Sequence, residues 1–189
     1  MYSKKEIYTS SNLLSFLRLL MAIPFWILLG SLNEPGIRYI VAALAIIAAV
    51  TDLLDGYLAR KYNQVTELGK IIDPLADKVV IGAIVIRLFL IGEISDYYFY
   101  MIIVRDILIF LGGIYVTKKI GRVLPSNMLG KISVAVISIV VLLIFFDVSR
   151  HTFLFEAFYY GSIVLIFVSL FAYIYRALEY IKKESNETV

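Results

Sequence analysis

The chain has 189 residues, 61% of them hydrophobic, and a mean hydropathy of +0.87. That balance excludes an ordinary soluble globular domain and implies a polytopic membrane protein. The absence of cysteine excludes disulfides and thiolate metal sites, and the net charge of +3 comes from basic residues beside apolar spans, which argues for membrane topology and against nucleic-acid binding.

The first eleven residues are too short and polar to span. Tyr2, Ile7 and Tyr8 with Lys4 and Lys5 suit a short segment lying in the interface, with a disordered tail as the equal alternative. Six apolar segments of spanning length follow, at roughly 12–32, 38–59, 67–92, 97–117, 129–149 and 152–180. No small-residue cleavage pattern follows the first, so no cleavable signal peptide is expected. Pro74 lacks the N–H that would bond the carbonyl of Lys70, so the third segment should kink or loosen there. The lone histidine, His151, falls in an expected short loop, so no histidine-based site is expected. The connections are short. The expected fold is all-α: one membrane domain over residues 1–189, six transmembrane helices in one bundle.

Basic residues set the orientation. Lys4 and Lys5 precede the first span, Arg60 and Lys61 follow the second, Lys118, Lys119 and Arg122 follow the fourth, and Lys182 and Lys183 follow the sixth. The other connections carry Glu34, Arg38, Glu93, Asp96, Asp147 and Arg150, which are mixed or acidic. Both termini are therefore expected on the cytoplasmic side.

Four aspartates stand out against this apolar background. The chain reads Asp52-Leu-Leu-Asp55-Gly56-Tyr-Leu-Ala59-Arg60, then eight residues, then Gly69-Lys-Ile-Ile-Asp73-Pro-Leu-Ala-Asp77. Ionisable residues in membrane segments are costly and usually functional. On one helix Asp52, Asp55, Gly56 and Ala59 share a face, and on the next Gly69, Asp73 and Asp77 share another. Facing each other, these stripes gather four carboxylates, which cations alone make tolerable. Hard oxygen ligands favour Mg²⁺, Mn²⁺ or Ca²⁺. The glycines let a phosphate approach the backbone, and Arg60 offers a fixed fork of donors. Metal ions bridged by carboxylates serve phosphoryl transfer, and a fourth carboxylate can accept a proton. Asp52 precedes Arg60 by eight residues, about 12 Å of helix, so the cluster lies just below the cytoplasmic interface. A cation-transport site, or ion pairs with Lys70 and Lys78, are the alternatives.

Asp-x2-Asp-Gly-x2-Ala-Arg-x8-Gly-x3-Asp-x3-Asp resembles the signature of the CDP-alcohol phosphotransferase family, and all eight specified positions are filled. The resemblance implies a membrane enzyme that exchanges the CMP of a CDP-linked lipid for an alcohol. It implies two divalent cations, Mg²⁺ or Mn²⁺, held by Asp52, Asp55 and Asp73, with Asp77 as a general base that can also touch the second cation. Gly56, Ala59, Arg60 and Gly69 would line the CDP pocket. A homodimer is expected on the same ground.

The opening Ser-Asn-Leu-Leu-Ser-Phe-Leu-Arg and the Gly-Tyr-Leu-Ala-Arg-Lys run look most like the phosphatidylglycerophosphate synthase branch. That branch implies CDP-diacylglycerol as donor and glycerol 3-phosphate as acceptor. Arg105 in the fourth span and Lys131 at the start of the fifth are the candidates for the acceptor's phosphate; the alternatives are a site carboxylate or a structural salt bridge between helices for Arg105, and an ordinary positive-inside residue for Lys131. Arg105 and Asp106 are not expected to pair, because adjacent helix residues diverge by about 100°. Arg18 either belongs to the synthase-like opening or snorkels to headgroups. The branch usually carries Arg-Glu in the fourth span and a second arginine two turns on. Here Arg105-Asp106 is followed by Gly112-Gly113. Arg-Asp resembles cardiolipin synthases that use phosphatidylglycerol; inositol phosphate, serine and choline are further acceptors. A catalytically silent scaffold would not need all eight positions.

Overall fold

The computed structural model describes the backbone of residues 10–61, 69–120 and 127–187, with side chains over 16–54, 76–119 and 127–182. Six α-helices fill these stretches: α1 Ser10–Gly30, α2 Ile37–Lys61, α3 Gly69–Leu90, α4 Asp96–Ile120, α5 Met128–Phe145 and α6 Phe153–Glu187. No strand occurs among the described residues. The expected interfacial segment falls mainly on residues outside this description; residues 10 and 11 already belong to α1.

Every expected segment is a helix, and the ends shift where local chemistry intervenes. α3 closes on Gly92, which takes φ 77°. Its N–H donates to the Phe89 carbonyl at 3.0 Å, and Glu93 N–H donates to Leu88 at 2.9 Å. These paired bonds satisfy the last carbonyls of a helix. α5 ends the same way on Asp147, at φ 54°. Asp147 and Val148 donate to Ile144 and Leu143, both at 3.0 Å. That turn stops α5 at Phe145, short of the expected end near 149. α6 overruns its expected end because residues 162–187 contain neither glycine nor proline. Its 35 residues make about 52 Å of helix, more than a hydrocarbon core of roughly 30 Å, so part of it projects beyond. Asn127 caps α5 by accepting from Leu129 N–H at 3.1 Å, and Thr152 caps α6 by accepting from Phe155 N–H at 3.3 Å. α3 is one helix across Pro74, whose side chain lies outside the described residues.

Four helices among the described residues carry stretches long and apolar enough to cross a membrane, and α1 carries a shorter apolar stretch, Phe16–Gly30. Large apolar side chains point outward: Leu53 is 72% exposed and Phe171 67%. A water-soluble fold would hide them, whereas lipid is a good solvent for them. The protein is an integral membrane protein.

The chain divides into two compact units, residues 1–93 and 94–189. In the first, α1 packs chiefly on α3 and also on α2. Arg18 of α1 meets Asp77 of α3, and Trp26 meets Arg87, so the partners advance together and the two helices run parallel. α2 runs the other way. Its Arg38 bonds Glu93, just past the end of α3, at 2.6 Å. Phe25, Leu29, Leu32, Val41, Val85 and Leu88 fill this core.

In the second unit α6 is central, packed on both α4 and α5. Three polar contacts tie the α4 stretch to α6: Ser95 to Tyr159 at 3.0 Å, Tyr98 to Ser162 at 2.7 Å, and Arg105 Nε to Ser169 at 3.3 Å. Each pair is separated by 64 residues, so α4 and α6 also run parallel, in register along one seam. Ser95, Tyr98 and Arg105 follow one another at intervals of 3 and 7 residues, the spacing of a helix–helix stripe. Away from water such polar groups find partners in each other.

Arg105 is the largest polar member of that seam, only 5% exposed. Besides Ser169 it reaches the Gly130 carbonyl of α5 at 3.4 Å and Asp106 at 2.7 Å. Arg105→Met should lower stability in detergent by about 1–3 kcal/mol, read as a lower thermal midpoint. Ser138→Ala is the control, because Ser138 donates to Val134 within its own helix. Equal midpoints for the two variants would show that the seam does not hold the helices together.

Candidate functional site

The signature begins on α2 and ends on α3. Asp52, Asp55, Gly56, Ala59 and Arg60 lie in α2, and Gly69, Asp73 and Asp77 lie in α3. Both stretches are helical in backbone, so the two-stripe spacing read from sequence applies. The side chains of Asp55, Gly56, Ala59, Arg60, Gly69 and Asp73 lie outside the described residues. Asp52 and Asp77, the first and last positions, are described.

These two meet on one arginine. Arg18 Nη2 of α1 lies 2.6 Å from Asp52 Oδ1, and Arg18 Nη1 lies 3.0 Å from Asp77 Oδ1. The guanidinium is a rigid fork, so two carboxylates on its two arms are held close together. Arg18 is only 8% exposed, while the Asp52 and Asp77 side chains are 46% and 42% exposed. The cation is thus covered by protein, and each carboxylate keeps an open side.

Arg18 therefore does not snorkel to headgroups. It turns inward, and two helix-borne carboxylates supply the counter-charge that a covered guanidinium needs. Sequence reading leaves Arg18 between a synthase-like opening and the headgroups and does not connect it with the aspartates. The available signal is a lone charge two turns inside an apolar segment.

The donor set suits a hard divalent cation. Carboxylate oxygens from two helices converge, and two carboxylates against one guanidinium leave a net negative charge. No grouping of three or more acidic, histidine or cysteine side chains is seen among the described residues, a set that omits Asp55 and Asp73.

The basic residues of the spans sit differently. Arg87 lies ten residues, about 15 Å of helix, beyond Asp77. Its guanidinium stacks over the Trp26 ring at 5.2 Å, in space that a side chain at Gly30 would occupy. Arg105 does pair with Asp106, contrary to expectation. Its Nε and Nη2 both face Ser169, and the long stem lets Nη1 fold back over the next residue. Lys131 follows Gly130, whose carbonyl receives Arg105, and is exposed. Both acceptor candidates thus fall at the α4–α5 contact of the second unit. Gly112 and Gly113, where the synthase branch would carry a second arginine, lie against Tyr173 of α6. A Cβ at either would stand 3.1 Å from that side chain. Small residues there admit the tyrosine, and an arginine would have to displace it.

Comparison with known proteins follows the same lines. The family model described as CDP-alcohol phosphatidyltransferase matches residues 8–174. Three similar proteins share the name CDP-diacylglycerol--glycerol-3-phosphate 3-phosphatidyltransferase. That of Aquifex aeolicus is 34% identical over 180 residues, covering 92% of this chain and 98% of its own. That of Bacillus subtilis is 38% identical, covering 64% of this chain and 63% of its own. That of Rickettsia bellii is 41% identical over 47% of this chain, and the match spans about half of that relative's length, 49%. A match of that extent, around a signature in which none of the eight positions is missing, means that the chain belongs to the CDP-alcohol phosphatidyltransferase family.

Proposed function

We propose that the protein transfers the phosphatidyl group of CDP-diacylglycerol to glycerol 3-phosphate and releases CMP. The observation that carries this reading is the meeting of Asp52 and Asp77, 25 residues apart in sequence, on the single guanidinium of Arg18. The names of the relatives supply the donor and the acceptor.

Asp52, Asp55, Asp73 and Asp77 would hold two divalent cations, Mg²⁺ or Mn²⁺. Bound there, the cations would neutralise charge on the diphosphate and on the departing CMP. Gly56, Ala59 and Gly69 leave room for the CDP moiety, and Arg60 offers its fork to a phosphate. Asp77 accepts the proton of the acceptor hydroxyl as that oxygen bonds to the phosphorus carrying diacylglycerol. The phosphorus–oxygen bond to CMP breaks, and CMP leaves with the electron pair. Lys131 and Arg105 are the groups assigned to the acceptor's phosphate. Arg105 already holds Asp106, so Lys131 is the cleaner test of that assignment.

Asp52→Asn should reduce divalent-cation binding and turnover together. Asp77→Asn should keep CDP-diacylglycerol binding and lower turnover by about 10²–10⁴-fold, the range of acid–base catalysis. Full activity in excess chelator would refute the metal-dependent reading. A cation-transport role predicts instead that these variants block ion flux with no CMP release in the wild type.

For the acceptor, the purified chain should be given CDP-diacylglycerol and a panel of alcohols, with lipid products identified by mass. Lys131→Ala should raise KM for glycerol 3-phosphate about ten- to hundredfold, the loss of one charge-assisted hydrogen bond, with little change for CDP-diacylglycerol. Consumption of phosphatidylglycerol, inositol phosphate, serine or choline in place of glycerol 3-phosphate would move the acceptor assignment and leave the reaction class intact.

We place the protein in a bacterial cytoplasmic membrane as a homodimer, with both termini and the aspartates on the cytoplasmic side. The distribution of lysine and arginine supports the orientation. The chain has no cysteine, so single cysteines report cleanly. Lys119→Cys should react with a membrane-impermeant thiol reagent from the cytoplasmic face and Asp96→Cys from the opposite face. The reverse pattern would invert the topology.

A further inference from the structure

We propose that Arg18 is a built-in counter-cation of the aspartate site. It holds Asp52 and Asp77 when divalent cations are absent and must yield them when a cation binds. This inference rests on the divalent-cation reading above.

The geometry argues for competition. Arg18 places one guanidinium nitrogen 2.6 Å from Asp52 and another 3.0 Å from Asp77. A divalent ion bound to the same carboxylates would sit within a few ångströms of that guanidinium. Like charges at that range repel strongly where water is scarce. Arg18 is buried and cannot relax into solvent, whereas the carboxylates are nearly half exposed and open to an arriving ion. An arginine does not lose its proton to escape the conflict. The guanidinium and the cation therefore contend for the same oxygens.

The arrangement has a use. Clustered carboxylates without a counter-charge repel one another. A tethered cation offsets that repulsion and keeps Asp52 and Asp77 near each other, ready for the ion. The cost is a weaker apparent affinity, because each binding event must first break a pair of charge-assisted hydrogen bonds. A purely structural pin makes the opposite forecast: without Arg18 the carboxylates lose their placement and cation binding weakens.

The test is a Mn²⁺ titration of the purified full chain in detergent, with free Mn²⁺ read by electron paramagnetic resonance and no turnover involved. Arg18→Met, which keeps an unbranched apolar stem and loses the charged fork, should bind Mn²⁺ about ten- to hundredfold more tightly than wild type. Arg18→Lys retains the charge but not the rigid fork, so it should fall between the two. If Arg18→Met does not fold, Arg18→Lys decides alone: tighter binding than wild type supports competition, and equal or weaker binding overturns it. Wild-type binding with unchanged or weakened affinity in Arg18→Met overturns the counter-cation role and leaves the metal reading standing. No Mn²⁺ binding by wild type or by either variant removes the metal reading and this inference with it.

Discussion

The bond between Arg18 and two aspartates is the contact on which the first unit turns. Membrane helices gain little from burying apolar side chains against each other, since lipid is equally apolar. A charged group away from water is a much stronger constraint, because it cannot be left alone. Arg18 on α1, Asp52 on α2 and Asp77 on α3 can satisfy one another only when the three helices come together at that level. The same interaction therefore assembles the helices and gathers the ends of the signature. At the far end of the unit Arg38 and Glu93 repeat the device between the start of α2 and the residue beyond α3. Apolar packing by Phe25, Leu29, Val85 and Leu88 fills the space between the two charged levels.

The second unit solves the same problem with neutral groups. Serine and tyrosine hydroxyls along α4 and α6 pair in a parallel seam, and Arg105 completes it with Ser169. Parallel neighbours need an intervening helix to return the chain, and α5 does this while receiving Arg105 on the Gly130 carbonyl. Gly112 and Gly113 follow the same logic at the other end of α4, where Tyr173 lies against them. A close helix contact thus takes the place in the chain where a phosphate-binding arginine would stand.

Two arginines in the spans show how far a linear reading reaches. Arg18 is legible as a charge in an apolar segment, but its two futures, headgroup or interior, look identical in sequence. For Arg105 and Asp106 the linear rule is the angle between neighbouring side chains on a helix. That rule describes Cβ directions and not the reach of a long flexible stem. Once Ser169 fixes one side of the guanidinium, the other arm meets Asp106.

The sequence by itself determined the class of the protein, the six helical segments and the signature that carries its family, because apolar length and helical spacing are local properties. The end of α3 is local in the same way, because the left-handed turn at Gly92 is decided within a few residues. The end of α5 at Asp147 was not legible, since aspartate takes that conformation only when a turn demands it. What only the tertiary structure decided is which charges meet. Asp52 and Asp77 share Arg18, and Arg105 joins Ser169, because helices distant in sequence lie side by side. The energy of a charge away from water depends on what surrounds it in space, and no spacing along a single helix contains that information.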